Sequence, residues 1–397
     1  MHKLLVIPGW CKSLGGNTVS LLAMVKGFEQ CGASKQICIL TQAGSLIEEY
    51  LQQKDLGHCL ITISAQDQRQ FVQRALDWVT QQPRNFPLLL ENCATSKTLS
   101  AIAFHTLSLR LSHRPVYYIF RDLALSHNPL GNFSRHAVFA ALKPHILCNS
   151  NFTAEHIRGR LGEVQGILHP PLDFELFNDH PPLDSPPENL QSILASDARI
   201  ILIPSRISKD NVNDKNLRSL PQVLAHLKAA NHNYHAVVIG QDTSAEQTRS
   251  RALLAQAEDL GVADRFTILP PALDIENYYK YADVVVTLAP REPFGRTVVE
   301  AIACGVPVIG SCTGGIGEIL HNFAPQWTVD PHDPASAAQA IVRVVNAADT
   351  PSTLVQGQQW VAANCSLIHY AQRIMETTGL KLTDSPETQL TYTTSLL

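Results

Sequence analysis

Short apolar runs alternate with helix-length amphipathic stretches along the whole chain. KLLVIP (3–8), KQICILTQ (35–42), HCLITIS (58–64), PLLLENC (87–93) and RPVYYIFRDL (114–123) read as buried strands. They are short, rich in branched and aromatic residues, and apolar on both faces, as parallel strands are. Between them the pattern predicts helices after Gly15-Gly16, around 45–55, over roughly 67–80 and across KTLSAIAFHTLSLRLS. Gly15-Gly16 read as a flexible turn, with Asn17 or Thr18 capping the first helix, which ends near Gly32. The strand at 114–123 leads into a polar loop holding Arg121, Asp122, His127, Asn128 and Arg135. KPHILCNSNFTAEHI (143–157) then gives a short strand, an Asn149-Ser150 turn and a helix opened by Thr153. GEVQGILHPPLDFELF closes this half with a strand and a His169-Pro170-Pro171 exit.

The Pro-rich, polar segment NDHPPLDSPPENL (178–190) reads as a domain boundary. Beyond it the alternation restarts with strands in DARIILIPSRIS, YHAVVIGQD, RFTILPP, DVVVTLA and PVIGS. The intervening stretches are helical, TVVEAIACG being a short helix stopped by Gly305. One last helical stretch, 354–377, precedes a polar tail expected to fray. The expected architecture is α/β, with two Rossmann-like domains built on mostly parallel sheets. Residues 1–177 form the first domain, 178–353 the second, and 354–380 are helices packing back on the first.

Composition narrows the class. With 397 residues, 45% of them hydrophobic, the chain can bury two cores. Net charge is −4, and residues 1–175 carry 16 Lys and Arg against 12 Asp and Glu while the remainder carries 15 against 23. That mild asymmetry, without a basic run interleaved with aromatics, gives no reason to expect a nucleic-acid partner. Nine cysteines form no CxxC pair, and Cys11, Cys38, Cys93, Cys148 and Cys304 lie in or beside apolar segments, as free thiols in a reducing compartment do. No run of about 18 apolar residues exists, and LLVI is too short for a signal-peptide core. A cytoplasmic protein is expected, a location compatible with peripheral association at the inner membrane face.

The chemistry concentrates between Pro290 and Glu318. A strand exit, an acidic turn Arg291-Glu292-Pro293-Phe294-Gly295, a helix start, a second strand exit and a Gly-rich turn follow one another there. This arrangement exposes carboxylates and bare backbone at one place, which is ligand-site geometry. GxGxxG, GxSxG, HExxH and the Walker-type GxxxxGK[ST] are absent, so a dinucleotide fold, a serine hydrolase, a zincin and a P-loop enzyme are not supported. His232 and His235 read as surface residues near a helix end rather than metal ligands.

Arg291-Glu292-Pro293-Phe294-Gly295-Arg296 with Glu300, then Ala301 to Gly310 and Gly314-Gly315 with Glu318, resembles the donor site of GT-B-fold retaining glycosyltransferases of family 4, the glycosyl transferases group 1. Glu292 and Glu300 match that family's pair of acids. The likeness extends through Ser205-Arg206, VVIG (237–240) and YYKYADVVV, and weakens over the N-terminal half. There Gly15-Gly16, Asn149-Ser150-Asn151-Phe152-Thr153 and HPPLD (169–173) still correspond. The resemblance implies a GT-B fold, two Rossmann-like domains facing across a deep cleft. It implies retaining, metal-independent transfer from a UDP- or GDP-linked sugar to a hydroxyl acceptor such as a glycan, a lipid-linked glycan or a small molecule. Arg206 and Lys215 would neutralise the diphosphate and Glu300 would hold the ribose hydroxyls. Glu292, with the backbone of Pro293, Phe294, Gly295, Arg296 and Thr297, would hold the sugar. Gly15, Gly16 and Gly240 would line the donor, and no cofactor is implied.

Two departures accompany the likeness. Where the family has Lys-Gly, this chain has a longer loop and Lys215-Asn216, so Lys209 competes with Lys215 as phosphate ligand; Lys215 is preferred because it directly precedes a helix. Where the family's strand ends in a histidine that faces the sugar, this chain has Arg121-Asp122. Arg121, Asp122, His127 and Asn149 are therefore candidates for sugar or acceptor contact. The alternative is a nucleotide-sugar-binding protein of polysaccharide assembly with altered or lost catalysis.

Overall fold

Two parallel sheets carry the chain in a computed structural model that describes residues 3–9, 16–125, 129–182, 185–208, 214–272 and 274–380. The first sheet has seven strands: β1 (Leu4–Pro8), β2 (Ile37–Gln42), β3 (Leu60–Ile63), β4 (Leu88–Glu91), β5 (Val116–Phe120), β6 (His145–Cys148) and β7 (Val164–Ile167). Their order is β3-β2-β1-β4-β5-β6-β7. The helices that follow its strands are α1 (Gly16–Gln30), α2 (Leu46–Gln53), α3 (Gln68–Thr80), α4 (Leu99–Leu111), α5 (Pro129–Leu142) and α6 (Asn151–Ile157). The register is parallel, with Leu4 beside Ile37 and Leu5 beside Leu88. β1 and β4 are buried along their whole length, which is why they read as continuous apolar runs.

The second sheet has six strands: β8 (Arg199–Pro204), β9 (Tyr234–Ile239), β10 (Phe266–Leu269), β11 (Val284–Thr287), β12 (Val308–Ser311) and β13 (Thr328–Val329). Their order is β10-β9-β8-β11-β12-β13, parallel throughout. α7 (Glu188–Leu194), α8 (Leu220–Ala229), α9 (Thr248–Asp259), α10 (Ile275–Tyr279), α11 (Arg296–Ala303), α12 (Gly314–Leu320), α13 (Pro334–Asn346), α14 (Thr350–Cys365) and α15 (Leu367–Thr378) complete the chain. Its core is a β-branched layer including Ile201, Val237, Val285 and Ile309, each no more than 1% exposed.

By contacts the chain divides into two compact units. One gathers the segments up to Ile119, Phe133–His145 and from Leu367; the other holds Phe120–Asn132 and Ile146–Ser366. In the first unit α15 packs along α1; in the second α14 packs on α11.

Several local expectations are corrected. The polar loop after β5 contains a helix, α5, which includes Arg135. The last helical stretch is two helices, parted at Ser366, whose extended backbone (φ −69°, ψ 149°) stops α14. Ser150, not Thr153, caps α6, its hydroxyl accepting from the Thr153 amide at 2.9 Å. α1 already begins at Gly16, so Asn17 and Thr18 lie inside its first turn rather than capping it. His235 is a strand residue on β9, hydrogen-bonded to Thr267 at 2.8 Å, not a helix-end residue. Cys38, Cys93, Cys148 and Cys304 are buried free thiols, and Cys11 lies outside the described residues. Among the described residues no helix is long and apolar enough to cross a membrane.

Candidate functional site

In the second sheet the strand order reverses between β8 and β11, the place where open parallel sheets leave a crevice at their carboxyl ends. β8 exits into Ser205 and Arg206, and the Arg206 side chain is exposed. The backbone there is held against the next strand. A Cβ added at Gly240 would fall 2.0 Å from the Ser205 carbonyl oxygen, so only glycine lets the β9 exit approach it. Past that contact Ile207 bridges to Asp242, with the Ile207 amide donating to Gln241 O at 3.0 Å. Asp242 in turn accepts from the amides and hydroxyls of Ser244 and Ser250 at 2.6–2.8 Å, tying the start of α9 to this loop.

Lys215 follows on the same exit and forms an ion pair with Glu292 from the loop after β11. Asn216 follows that lysine. It sits at φ 53°, a left-handed conformation that asparagine tolerates better than other side-chain-bearing residues. It is 1% exposed, with its Nδ2 donating to Pro331 O at 2.5 Å and its Oδ1 unpartnered among the described residues. Lys215, Asn216, Ser205 and Thr287 line a small cavity at the ends of β8 and β11. Lys209 lies outside the described residues.

The loop after β11 turns into α11 at Gly295, which has φ 99° and leaves the helix start without a side-chain cap. First-turn amides there are suited to an anion. The loop is locked from behind, the Gly315 amide donating to Glu292 O at 2.7 Å. Phe294 is buried and stacks on His169 with ring centroids 5.3 Å apart. On α11, Glu300 is 7% exposed. Its Oε1 pairs with Arg296 Nε at 2.8 Å, one turn back, and its Oε2 accepts from the Tyr279 hydroxyl at 2.9 Å. Arg296 also donates to Pro171 O at 3.2 Å, so it braces the carboxylate against the HPPLD exit. Burial and the neighbouring Glu300 charge hold the Tyr279 hydroxyl well above its usual pKa, so it stays a donor. Thr297 lies half-buried in the first turn of α11.

The segment 149–153 docks on the same loop. Ser150 Oγ and Thr153 Oγ1 donate to Pro293 O at 2.5 and 3.2 Å. Glu318 on α12 accepts from the Asn151 amide and side chain, each at 2.9 Å, and from the Phe152 amide at 2.8 Å, capping α6 from 166 residues away. Asn149 is buried; its Nδ2 donates to Arg121 O at 3.3 Å while its Oδ1 has no partner among the described residues. Arg121 is itself 8% exposed, and Asp122 is turned onto its own backbone, accepting from the Ala124 amide at 2.7 Å.

Arg206, Lys215, Gly240, Glu292 through Thr297, and Glu300 all lie in one unit, as do Arg121, Asp122 and Asn149. Gly16 belongs to the other unit as the first residue of α1, and Gly15 and His127 lie outside the described residues. Sequence reasoning passed over Tyr279, whose signal was the doubled tyrosine of YYKYA, and the cap made by Glu318, which no local pattern announces. Among the described residues no cluster of three His, Cys, Asp or Glu side chains is placed to hold a metal ion.

Cations on one strand exit, a carboxylate on its neighbour and an uncapped helix start lie at a reversal of strand order, where open α/β sheets bind ligands. Residues 187–358 match the model of the family of glycosyl transferases group 1, and the chain has the GT-B fold. The D-inositol 3-phosphate glycosyltransferase 1 of Catenulispora acidiphila is 30% identical over 199 residues, 49% of this chain and 46% of that protein. The D-inositol 3-phosphate glycosyltransferase of Mycolicibacterium gilvum is 29% identical over 220 residues, 55% and 47% of the two chains. The chain therefore spans less than half the length of these curated relatives. In fold it is similar to Anabaena HepE in complex with UDP, with a TM-score of 0.75 at 19% identity, over 95% of this chain and 99% of that one. It is likewise similar to the sucrose-phosphate synthase of Thermosynechococcus elongatus, with a TM-score of 0.69 at 17% identity, over 95% and 98%.

Proposed function

We propose that this chain is a glycosyltransferase that moves a sugar from a UDP-linked donor to a hydroxyl of an acceptor, with retention at the anomeric carbon. The observation that carries the reading is the Lys215–Glu292 ion pair at the reversal of strand order, on the strand exit that also carries Arg206 and beside the uncapped start of α11. A departing nucleoside diphosphate gains negative charge as the glycosidic bond breaks. Two cations and a helix start stabilise that charge more than they stabilise the ground state, which is what lowers a barrier.

In this reading the donor exchanges partners with the protein. Without it, the Lys215 ammonium is neutralised by Glu292. The diphosphate takes that ammonium, and Glu292 is released to accept hydrogen bonds from the sugar hydroxyls. Glu300, held by Arg296 and Tyr279, presents its remaining lone pairs to the ribose diol. The acceptor hydroxyl attacks on the face the diphosphate leaves, and a diphosphate oxygen takes its proton. Arg121, Asp122, His127 and Asn149 are the proposed contacts to the sugar or acceptor. UDP is preferred among donors because HepE, a protein of the same fold, is described in complex with UDP and with UDP-glucose.

A thermal-shift panel of UDP, GDP and ADP sugars tests the donor. UDP compounds are expected to raise the melting temperature, and the Arg206→Ala variant to lose that response. If no nucleotide moves the transition, the reading fails. Transfer measured with radiolabelled donor separates a second reading, donor binding without turnover, which Arg121 in place of the family's histidine favours. That reading requires a shift with UDP compounds and no turnover over a broad acceptor panel.

A further inference from the structure

At the amino ends of β5 and β6, the edge of the first sheet opposite its carboxyl ends, a cavity of about 290 Å³ is lined by Leu109, Arg110, His113, Arg114, Pro115, Val116, Leu142, Lys143 and His145. Five of these nine carry cationic or protonatable side chains, and none is acidic. Two of the charges have an ordinary structural reason: His113 and Lys143 follow the C-termini of α4 and α5, where cations answer the helix dipole. Their backbones argue for more than that. Both adopt the left-handed conformation, at φ 53° and 49°, where glycine is the unstrained choice, so side chains are kept at a cost.

Arg114 is the sharper observation. It is 6% exposed, and its guanidinium donates to the carbonyls of Phe86 at 2.6 Å, Val79 at 3.0 Å and Gln82 at 2.8 Å. Carbonyls satisfy its N–H groups but do not neutralise its charge, and its buried Nε has no partner among the described residues. Burial alone lowers its pKa from the usual arginine value. Arg114, buried and paired with no carboxylate among the described residues, lines a cavity ringed by further cations and none of the acids that would balance them.

We propose that this cavity binds a phosphate-type anion, separately from the donor site. Its volume is at the small end for ligand pockets, enough for a phosphoryl group and a few attached carbons. Arg110 and Lys143, both exposed, gather the anion at the mouth, and Arg114 supplies fixed charge at the wall. Two sources carry that chemistry. One is a soluble phosphate ester. The other is a phospholipid headgroup, because Phe104, Leu107 and Leu111 stand 75%, 68% and 69% exposed on the same helix as Arg110.

The test uses the full chain carrying Arg206→Ala, so that the donor site's own affinity for phosphate does not intrude, with and without Arg110→Ser and Lys143→Ser. These two side chains are exposed, so the added substitutions are expected to leave the unliganded melting temperature unchanged; Arg114 variants are avoided because they threaten folding. Inorganic phosphate and pyrophosphate are added in one arm. Sedimentation with phosphatidylglycerol or phosphatidylcholine vesicles forms the other. A melting temperature rising with the logarithm of phosphate concentration, and lost on adding the two substitutions, supports a soluble ester. Co-sedimentation with phosphatidylglycerol only, cut at least fivefold by those substitutions, supports a headgroup. No response in either arm, or a response that survives both substitutions, overturns the proposal.

Discussion

The Tyr279 hydroxyl donates to Glu300 across 2.9 Å in a buried setting, and the tyrosine itself is fully buried. With Arg296 on the other oxygen, the carboxylate is fixed on both sides, which gives it a single orientation at no cost in side-chain entropy when a ligand arrives. On the proposed function, Tyr279 is a positioning residue, acting through Glu300.

Tyr279→Phe removes that donor and keeps the ring. A hydrogen bond to a charged group is worth about 1.5–3 kcal/mol, part of which water or ligand restores. Donor KM is expected to rise about tenfold with kcat little changed, and the donor dissociation constant should rise in parallel. An unchanged KM alongside an unchanged melting temperature would mean that Arg296 alone orients Glu300.

Gly240→Ala places a methyl against the Ser205 carbonyl, a contact no rotamer relieves because the atom struck is backbone. Overpacking of this kind costs about 1–3 kcal/mol. Urea unfolding should show the loss, and nucleotide affinity should fall with it, since the same shift moves Arg206. Wild-type stability in this variant would show that the exit of β8 is free to move.

Stability should fall in acid partly through Asp242. Burial pushes its carboxyl up, but hydrogen bonds from Ser244 and Ser250 outweigh that and pull it down to about 2, from 3.8. A depressed folded pKa contributes stability that is complete above 3.8 and is lost as pH falls toward about 2. Asp242→Asn should therefore flatten the stability profile within that window and leave its shape at neutral pH unchanged. Chemical unfolding from pH 5 to about pH 2 measures it, and an identical slope in both proteins would refute the assignment.

Glu318→Gln weakens three hydrogen bonds at the start of α6, two of them from backbone amides. Losing the charge at a helix N-terminus and its capping strength is expected to cost about 1–2 kcal/mol. Hydrogen exchange should quicken at Asn151 and Phe152 before any global change is seen. Protection equal to the wild type would place the cap elsewhere.

Much of this was legible because buried parallel strands announce themselves. VVVT and VIGS need no partner to be recognised, and the acidic pair followed from residues close in sequence. What escaped depends on distance along the chain. α5 begins Pro-Leu-Gly-Asn and leaves Leu130 and Phe133 largely exposed, so its apolar pattern does not fall on one face. The Lys215–Glu292 pair joins positions 77 residues apart, and the Glu318 cap joins positions more than twice as far. Asn216 looked like a departure from Lys-Gly; its positive φ places it in the left-handed region that glycine adopts without strain.

The packing of α15 along α1 sets an order of events. At Gly27 a methyl group would lie 2.4 Å from the Leu367 carbonyl oxygen, so the two helices meet almost backbone to backbone. A ribosome making this chain releases α1 long before α15 exists. The side of α1 that α15 covers must wait while the entire second sheet is synthesised and has time to fold. The unit holding α1 is therefore completed only after the second sheet has been made, and a nascent chain halted between α1 and residue 367 presents that bare surface to chaperones.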